Sequence, residues 1–439
     1  MNKKILRLAV PNIITNLAVP LLSSVDTALV GHLDAVYYIG AVSIGSMIFN
    51  FVYWGFGFLR MGTTGMAAQA LGGEDHGEAL HILLRALAVA LIGAFLLIIG
   101  QRLIENLSFY LVGATPEVEQ FARSYFRIRI WAAPATLGLY AFTGWFLGMQ
   151  NARYPLYITI AANLANVAMD VWFVTYTGLK SDGVAWGTVA AQYLGLILAL
   201  LFFLQKYRPY LAHYRRASLL EIKKIKAFFS LNGDIFIRTI SLIFVFSFFT
   251  AKSAELGDDL LAANTVLMQL WMIFSFGIDG FAFAAESLVG RAIGAGDRKF
   301  LHKIIRLIFL WGSGLGLVFV LIYAVGAKPI LHLFTNQDAL VSLCLSYMGW
   351  TIAAPFVNSF CYIWDGIYIG ATASKAMRNT MLFSTFVVFF PLFYLGRYLW
   401  GNHGIWAAML VFMAMRWLTM QLLAKKHIYA KAATVNNAK

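Results

Sequence analysis

The chain has 439 residues, of which 60% are hydrophobic and 12% charged, and its mean hydropathy is +0.73. A soluble globule carries about 25% charged residues, so this composition excludes one and places the chain in a bilayer. The formal charge of +14 lies between apolar runs rather than on one face with interleaved aromatics, which marks membrane topology and excludes a nucleic-acid partner.

The apolar runs are about 20 residues or longer and apolar nearly all round, which selects spanning helices over the alternating strands of a barrel. The expected class is an all-α polytopic membrane protein with twelve transmembrane helices, near residues 5–32, 39–71, 79–103, 118–148, 154–178, 182–205, 222–254, 260–292, 300–326, 338–370, 376–399 and 403–424. Span one follows Lys3 and Lys4 and holds Asn12, Asn16 and Asp26, too long and too polar for a cleaved signal segment. Basic residues gather before span one (Lys3, Lys4, Arg7), around the middle connection (Lys206, Arg208, Arg215, Arg216, Lys223, Lys224, Lys226), after span eight (Arg291, Arg298, Lys299, Lys303) and at the end (Lys425, Lys426, Lys431). The alternate connections are poor in them, so both termini are expected in the cytoplasm, with the chain multi-pass in the inner (plasma) membrane. Arg123, Arg127 and Arg129 fall at the outer end of span four and run against this reading. Cys344 and Cys361 are the only cysteines, and neither a disulfide nor a metal site is expected of them.

The chain repeats itself at a period of about 222 residues. Gly72 to Asp75 and then Leu80, His81 and Arg85 follow span two; Gly294 to Asp297 and then Leu301, His302 and Arg306 follow span eight. Span four carries Ala132, Ala133, Pro134 and a Gly144-x-x-x-Gly148 motif, and span ten carries Ala353, Ala354, Pro355 and Gly366-x-x-x-Gly370. An even number of spans per copy gives both copies one orientation, so two pseudo-symmetric six-helix lobes form a parallel repeat. The expected division is an N-terminal lobe 1–205, a cytoplasmic linker 206–221, a C-terminal lobe 222–426 and a cytoplasmic tail 427–439. Each G-x-x-x-G reads first as close helix packing.

Polar residues inside the spans carry the functional argument, because a charge at mid-bilayer costs about 2.5–3.5 kcal/mol on insertion scales. Span one places Asn12, Asn16, Ser23 and Asp26 within roughly an 80° arc, beside Pro11 and Pro20. Span five places Asn163, Asn166 and Asp170 on one helix face by their spacing of three, four and seven. In span six, Thr188 and Gln192 share a face and are candidates to complete the hydrogen bonding around Asp170, although Thr in a membrane helix usually bonds back to its own turn. The second copy bears different polar groups: Asp234 and Arg238, read as an i,i+4 ion pair, then Asp279, Glu286, Asn358 and Asp365. Asp279 and Asp365 are expected to face a polar cavity. The histidines fall at loops and helix ends, so no catalytic cluster forms and an enzyme is not expected.

Five segments, Val25 to His32, Asn163 to Asp170, Ala262 to Gln269, Asp279 to Glu286 and Asp365 to Gly370, resemble the multidrug and toxic compound extrusion (MATE) family, nearest its DinF-like branch. The resemblance runs over nearly the whole chain. It implies a two-lobe antiporter that exports organic cations by alternating between outward-open and inward-open states. It also implies that Asp26, Asn166, Asp170 and Thr188 form the ion-coupling network, with Asn163, Gln192, Asp279 and Asp365 as further polar cavity residues. Asp365 matches an acidic residue linked to cation binding in related transporters. The acidic residue of helix seven that accompanies it in sodium-coupled relatives has no clear match, which leans the coupling ion from Na+ towards H+.

If Asp26 and Asp170 lie within hydrogen-bonding range in one desolvated pocket, they are expected to share a proton near neutral pH. No cofactor is expected. The aromatic share of 15% suits flat lipophilic cations as substrates, and the working state is expected to be a monomer in the bilayer. A sodium-coupled antiporter is one alternative. A lipid-linked oligosaccharide flippase of the same architecture is the other, with Arg60, Arg238 and Arg397 as its support and the mostly acidic deep charges against it.

Overall fold

The computed structural model describes the backbone of residues 1–31, 35 and 37–431, and within α1 the side chains of 19–24, 26–28 and 30 lie outside that description. Twelve long helices follow in order: α1 Asn2–Val30, α2 Tyr37–Gly72, α3 His76–Ile99, α4 Pro116–Gly148, α5 Arg153–Tyr176, α6 Lys180–Tyr207, α7 Ile222–Ala254, α8 Asp258–Gly294, α9 Arg298–His332, α10 Asp338–Gly370, α11 Ser374–Trp400 and α12 Asn402–Tyr429. Among the described residues, eleven stretches are long and apolar enough to cross a bilayer. α1, with 29 residues, adds a twelfth helix of sufficient length at about 1.5 Å per residue. No strand occurs among the described residues.

Local chemistry sets the interruptions. α2 breaks at Phe56, between Gly55 and Gly57. α4 tightens to a 3₁₀ turn at Ile130–Ala132 just before Pro134, which has no N–H to give, whereas α10 runs through Pro355 as one helix. α5 widens into a π turn at Trp172–Tyr176, which begins two residues after Asp170. Such turns recur at functional sites.

The chain divides into two compact units, one of Ile14–Ala67 and Asp75–Lys226, the other of Met1–Ile13, Ala68–Glu74 and Ala227–Lys439. Within the first, α4 closes on α2 through Gly144, where a Cβ would lie 2.4 Å from the Arg60 carbonyl oxygen. The buried Trp145 indole donates to the Ala79 carbonyl at 2.7 Å. The segment after α6 is strapped to α3: Arg85 donates to Ser218 O at 2.7 Å, Leu219 O at 3.2 Å and Glu78 at 2.7 Å, and His81 Nε2 accepts the Arg215 N–H at 3.1 Å. Arg123 and Arg127, which run against the expected orientation, both bond the buried Glu105, at 3.0 and 2.9 Å. Arg129 donates to Tyr125 Oη at 2.6 Å and Ser46 Oγ at 2.8 Å.

The second unit uses the same contacts one period later. α10 closes on α8 through Gly366, where a Cβ would lie 2.3 Å from the Ala282 carbonyl, and both residues are displaced by 222 from the Gly144–Arg60 pair. Asp75 caps α3 by accepting the Glu78 N–H at 2.8 Å, and Asp297 caps α9 by accepting the Phe300 N–H at 2.9 Å. The end of α2 also lies in this unit. There, a Cβ on Gly72 would meet the Arg291 carbonyl at 2.1 Å, and one on Gly294 would meet the Gln69 carbonyl at 2.0 Å, a reciprocal pair of contacts. The Gln69 amide then donates to Gly370 O at 2.9 Å and Thr372 Oγ1 at 3.1 Å. Lys431 Nζ donates to the Ala371 and Thr372 carbonyls at 2.8 and 3.0 Å. In the turn between α7 and α8, hydrogen bonds from Lys252 and then Arg397 hold the Glu255 carboxyl below the usual carboxylate range.

Candidate functional site

The polar stripe of α5 exists as a pair of bonded side chains. Asn166 and Asp170 are both buried, one helical turn apart, and the Asn166 amide nitrogen donates to both carboxylate oxygens of Asp170, each at 3.0 Å. The carbonyl oxygen of Asn166 is buried and accepts no hydrogen bond among the described residues. A carboxylate held in this way shares one amide N–H between its two oxygens in a low-dielectric surrounding, where a bond to a charged acceptor is strong.

α6 shapes the other wall. Opposite Asp170 stands Gly187, where a Cβ would lie 1.8 Å from Oδ1 of Asp170 and 3.0 Å from its backbone nitrogen. Only the missing side chain lets the carboxylate rest on the α6 backbone. Thr188, the next residue, donates its hydroxyl hydrogen to Val184 O at 3.0 Å. In this arrangement the hydroxyl offers lone pairs and no proton to a neighbour. Asn163 and Gln192 are half-buried. The Asp26 side chain lies outside the described residues, and the expected sharing of a proton between Asp26 and Asp170 falls outside them with it.

The second unit pairs its charges differently from the sequence expectation. Asp234 and Arg238 each bond another residue. Asp234 accepts from Arg378 at 2.5 Å and from Ser374 at 2.8 Å, while Arg238 donates to Asp365. The i,i+4 spacing allows a pair, but tertiary partners on α11 and α10 outcompete it. Asp365 also accepts from Arg416 at 2.6 Å, so one buried carboxylate holds two buried guanidiniums. Asp279 is half-buried on α8 and near enough to Tyr362 to act on it electrostatically. Tyr362 and Ser275 lie 3.0 Å apart, with Ser275 donating.

Several residues of these sites lie beyond the sequence reading, Arg416 and Gly187 among them. Arg416 carries a signal there, since it is the single Lys, Arg, Asp or Glu between Asn402 and Ala424. Gly187 carries none, being one small residue among many in a membrane helix. Among the described residues, no group of three or more His, Cys, Asp or Glu is placed to hold a metal ion.

The MatE family model matches residues 11–172 and 235–395. The chain belongs to the MatE family. The two matched segments cover one copy of the repeat each, apart from the helices at the edges. Among curated relatives, DNA damage-inducible protein F of Escherichia coli (strain K12) is 34% identical over 428 residues, with 97% of this chain and 92% of the relative covered. A probable multidrug resistance protein NorM of Photorhabdus laumondii is 24% identical over 402 residues, covering 89% and 86% of the two chains. A solved structure of MATE in the bent conformation superposes with a TM-score of 0.88 at 19% identity, over 99% of this chain and 97% of that one. At that identity the superposition shows the fold alone. As a MatE protein, the chain is a multi-pass membrane transporter and not an enzyme.

Proposed function

We propose that this MatE protein is a secondary antiporter of the bacterial plasma membrane, working as a monomer, that exports organic cations in exchange for protons. Asp170 is the proton carrier together with Asp26, Asn166 is its hydrogen-bond partner, and Thr188 lies at the edge of the pocket. The observation that carries this is the buried Asn166–Asp170 pair with its unspent Asn166 carbonyl oxygen. An ionised Asp170 shares one N–H of the amide between its two oxygens. A protonated Asp170 has an O–H to donate, and rotating the amide turns the free carbonyl oxygen towards it. In a side-by-side acid–amide pair the carbonyl accepts that O–H while one N–H stays on the other carboxyl oxygen, so Asn166 serves both protonation states without leaving the O–H orphaned, a loss that costs about 1–3 kcal/mol.

Sodium asks for something else. It wants several oxygens converging on one point, whereas both oxygens of Asp170 here share the Asn166 amide N–H. The flippase alternative called for loose deep arginines. Arg238 is instead ion-paired with Asp365, which it shares with Arg416, and Arg397 with Glu255, which it shares with Lys252.

One proton exchanged for one monovalent cation moves no net charge, so a pH unit supplies about 1.4 kcal/mol. A second proton adds its own pH contribution and about 2.3 kcal/mol per 100 mV. The test is efflux of a cationic dye from proteoliposomes with pH and sodium gradients imposed separately. Efflux driven by the pH gradient alone is expected, and Asp26→Asn and Asp170→Asn should each abolish it while still inserting. Full proton-driven efflux by either variant, or efflux that follows sodium alone, would falsify the assignment.

A further inference from the structure

Beyond the transport pathway, the first unit carries a cavity of about 540 Å³ lined by Gln101, Arg102, Glu105, Asn106, Arg127 and Trp131. It sits where α3 ends at Gly100 and the short helix Gln101–Val112 begins. That helix is two-faced. Leu103, Leu107, Tyr110 and Leu111 recur at helical spacing and are exposed, at 74%, 56%, 85% and 72%, while Glu105 on the other side is 3% exposed. A helix of this pattern lies at a bilayer interface with its apolar face in the acyl region. Phe95, Leu96 and Ile99 of the last turn of α3 continue the exposed apolar surface up to the cavity.

The polar side of the cavity is built from positive charge. Glu105 clamps Arg127 through Nε at 3.2 Å and Nη2 at 2.9 Å, which fixes that guanidinium and leaves its Nη1 uncommitted. Arg123 shares Glu105 and is matched by Glu119 at 2.7 Å. Arg102 makes no hydrogen bond or ion pair among the described residues. Three arginines therefore face two carboxylates, and the surplus positive charge stands on the cavity wall. Asn106 spends its carbonyl oxygen on Arg123 at 3.2 Å, which leaves its N–H groups for a ligand. Trp131, half exposed, stands at the rim, the place indoles favour at a membrane interface.

We propose that this cavity binds the phosphate of a membrane phospholipid, held by Arg102 and the free nitrogen of Arg127, with the acyl chains along the exposed faces of α3 and the Gln101–Val112 helix. Arginine forks match phosphate oxygens, and the adjoining apolar surface selects a lipid over a soluble phosphate. The full-length protein in mild detergent is titrated with phosphatidylglycerol, with a diacylglycerol of the same chains and with glycerol 3-phosphate, and adducts are counted by native mass spectrometry. Phosphatidylglycerol retention is expected to exceed both others and to fall about tenfold in Arg102→Gln, the ratio given by losing about one charge-assisted hydrogen bond. Arg127→Gln also disturbs the buried Glu105, so Arg102→Gln, which breaks no bond among the described residues, carries the test. Equal retention of diacylglycerol, equal binding of glycerol 3-phosphate, or unchanged retention in Arg102→Gln each overturns the proposal.

Discussion

Asn166 is the residue whose chemistry the coupling model depends on most directly. Replacing it with Leu keeps approximate volume and removes both the donor and the free acceptor. Proton-driven dye efflux is then expected to fall at least about tenfold, as the loss of hydrogen bonds to a buried carboxylate implies. Efflux at the unaltered rate would remove Asn166 from the mechanism. Gly187→Ala asks a steric question at the same place, since its Cβ would fall 1.8 Å from Asp170 Oδ1. The carboxylate must move, at an overpacking cost of about 1–3 kcal/mol. A lower thermal midpoint together with impaired coupling is expected; a variant unchanged in both would show that the carboxylate shifts freely. Asn166 and Asp170 were legible from spacing alone, because two polar residues one turn apart on an apolar helix have few inexpensive explanations. Gly187 was not, because it acts through a side chain it lacks.

At the scale of single helices, charges went where tertiary geometry sent them. Asp234 and Arg238 satisfy the i,i+4 rule and yet pair elsewhere, since helix-surface pairs contribute only about 0.2–0.5 kcal/mol. The cluster that replaced that pair has a distinctive signature. Asp365→Leu leaves two buried guanidiniums facing each other, whereas Arg238→Leu or Arg416→Leu leaves one intact pair. Thermal unfolding of purified variants should therefore rank Asp365→Leu as the most damaging, by on the order of 3–5 kcal/mol. Equal damage from all three would show that shape, not charge, holds the cluster together. The G-x-x-x-G helices offer a second comparison. Gly144→Leu and Gly366→Leu would each drive a side chain into a backbone carbonyl, whereas Gly233→Ala in α7 meets nothing within 4 Å. The first two are expected to lower the thermal midpoint, and the third to leave it unchanged or raise it, given the better helix propensity of Ala. The number of spans and the repeat were readable from hydropathy and motif order. The π turn after Asp170 was not, since no residue type specifies it.

Across the whole molecule, the unit boundaries fall inside continuous helices, between Ile13 and Ile14 of α1 and between Ala67 and Ala68 of α2. A transport cycle that frees the 68–74 segment must first break the bonds from Gln69 to Gly370 and Thr372. With Gln69→Cys and Thr372→Cys bridged by a short bifunctional thiol reagent, export is expected to stop and to resume when the bridge is cleaved. Both native cysteines are buried, so the reagent has little else to attack. Continued export through the bridged protein would show that this segment stays docked throughout the cycle. The crossing of Gly72 and Gly294 also speaks to origins. Gly72 meets Arg291 and Gly294 meets Gln69, and each member of one pair lies 222 residues from its counterpart in the other. Such mutual exchange is the mark of a contact across a two-fold axis between identical subunits. Two copies of a half-length chain carrying one such glycine would make this junction twice if they paired as a homodimer.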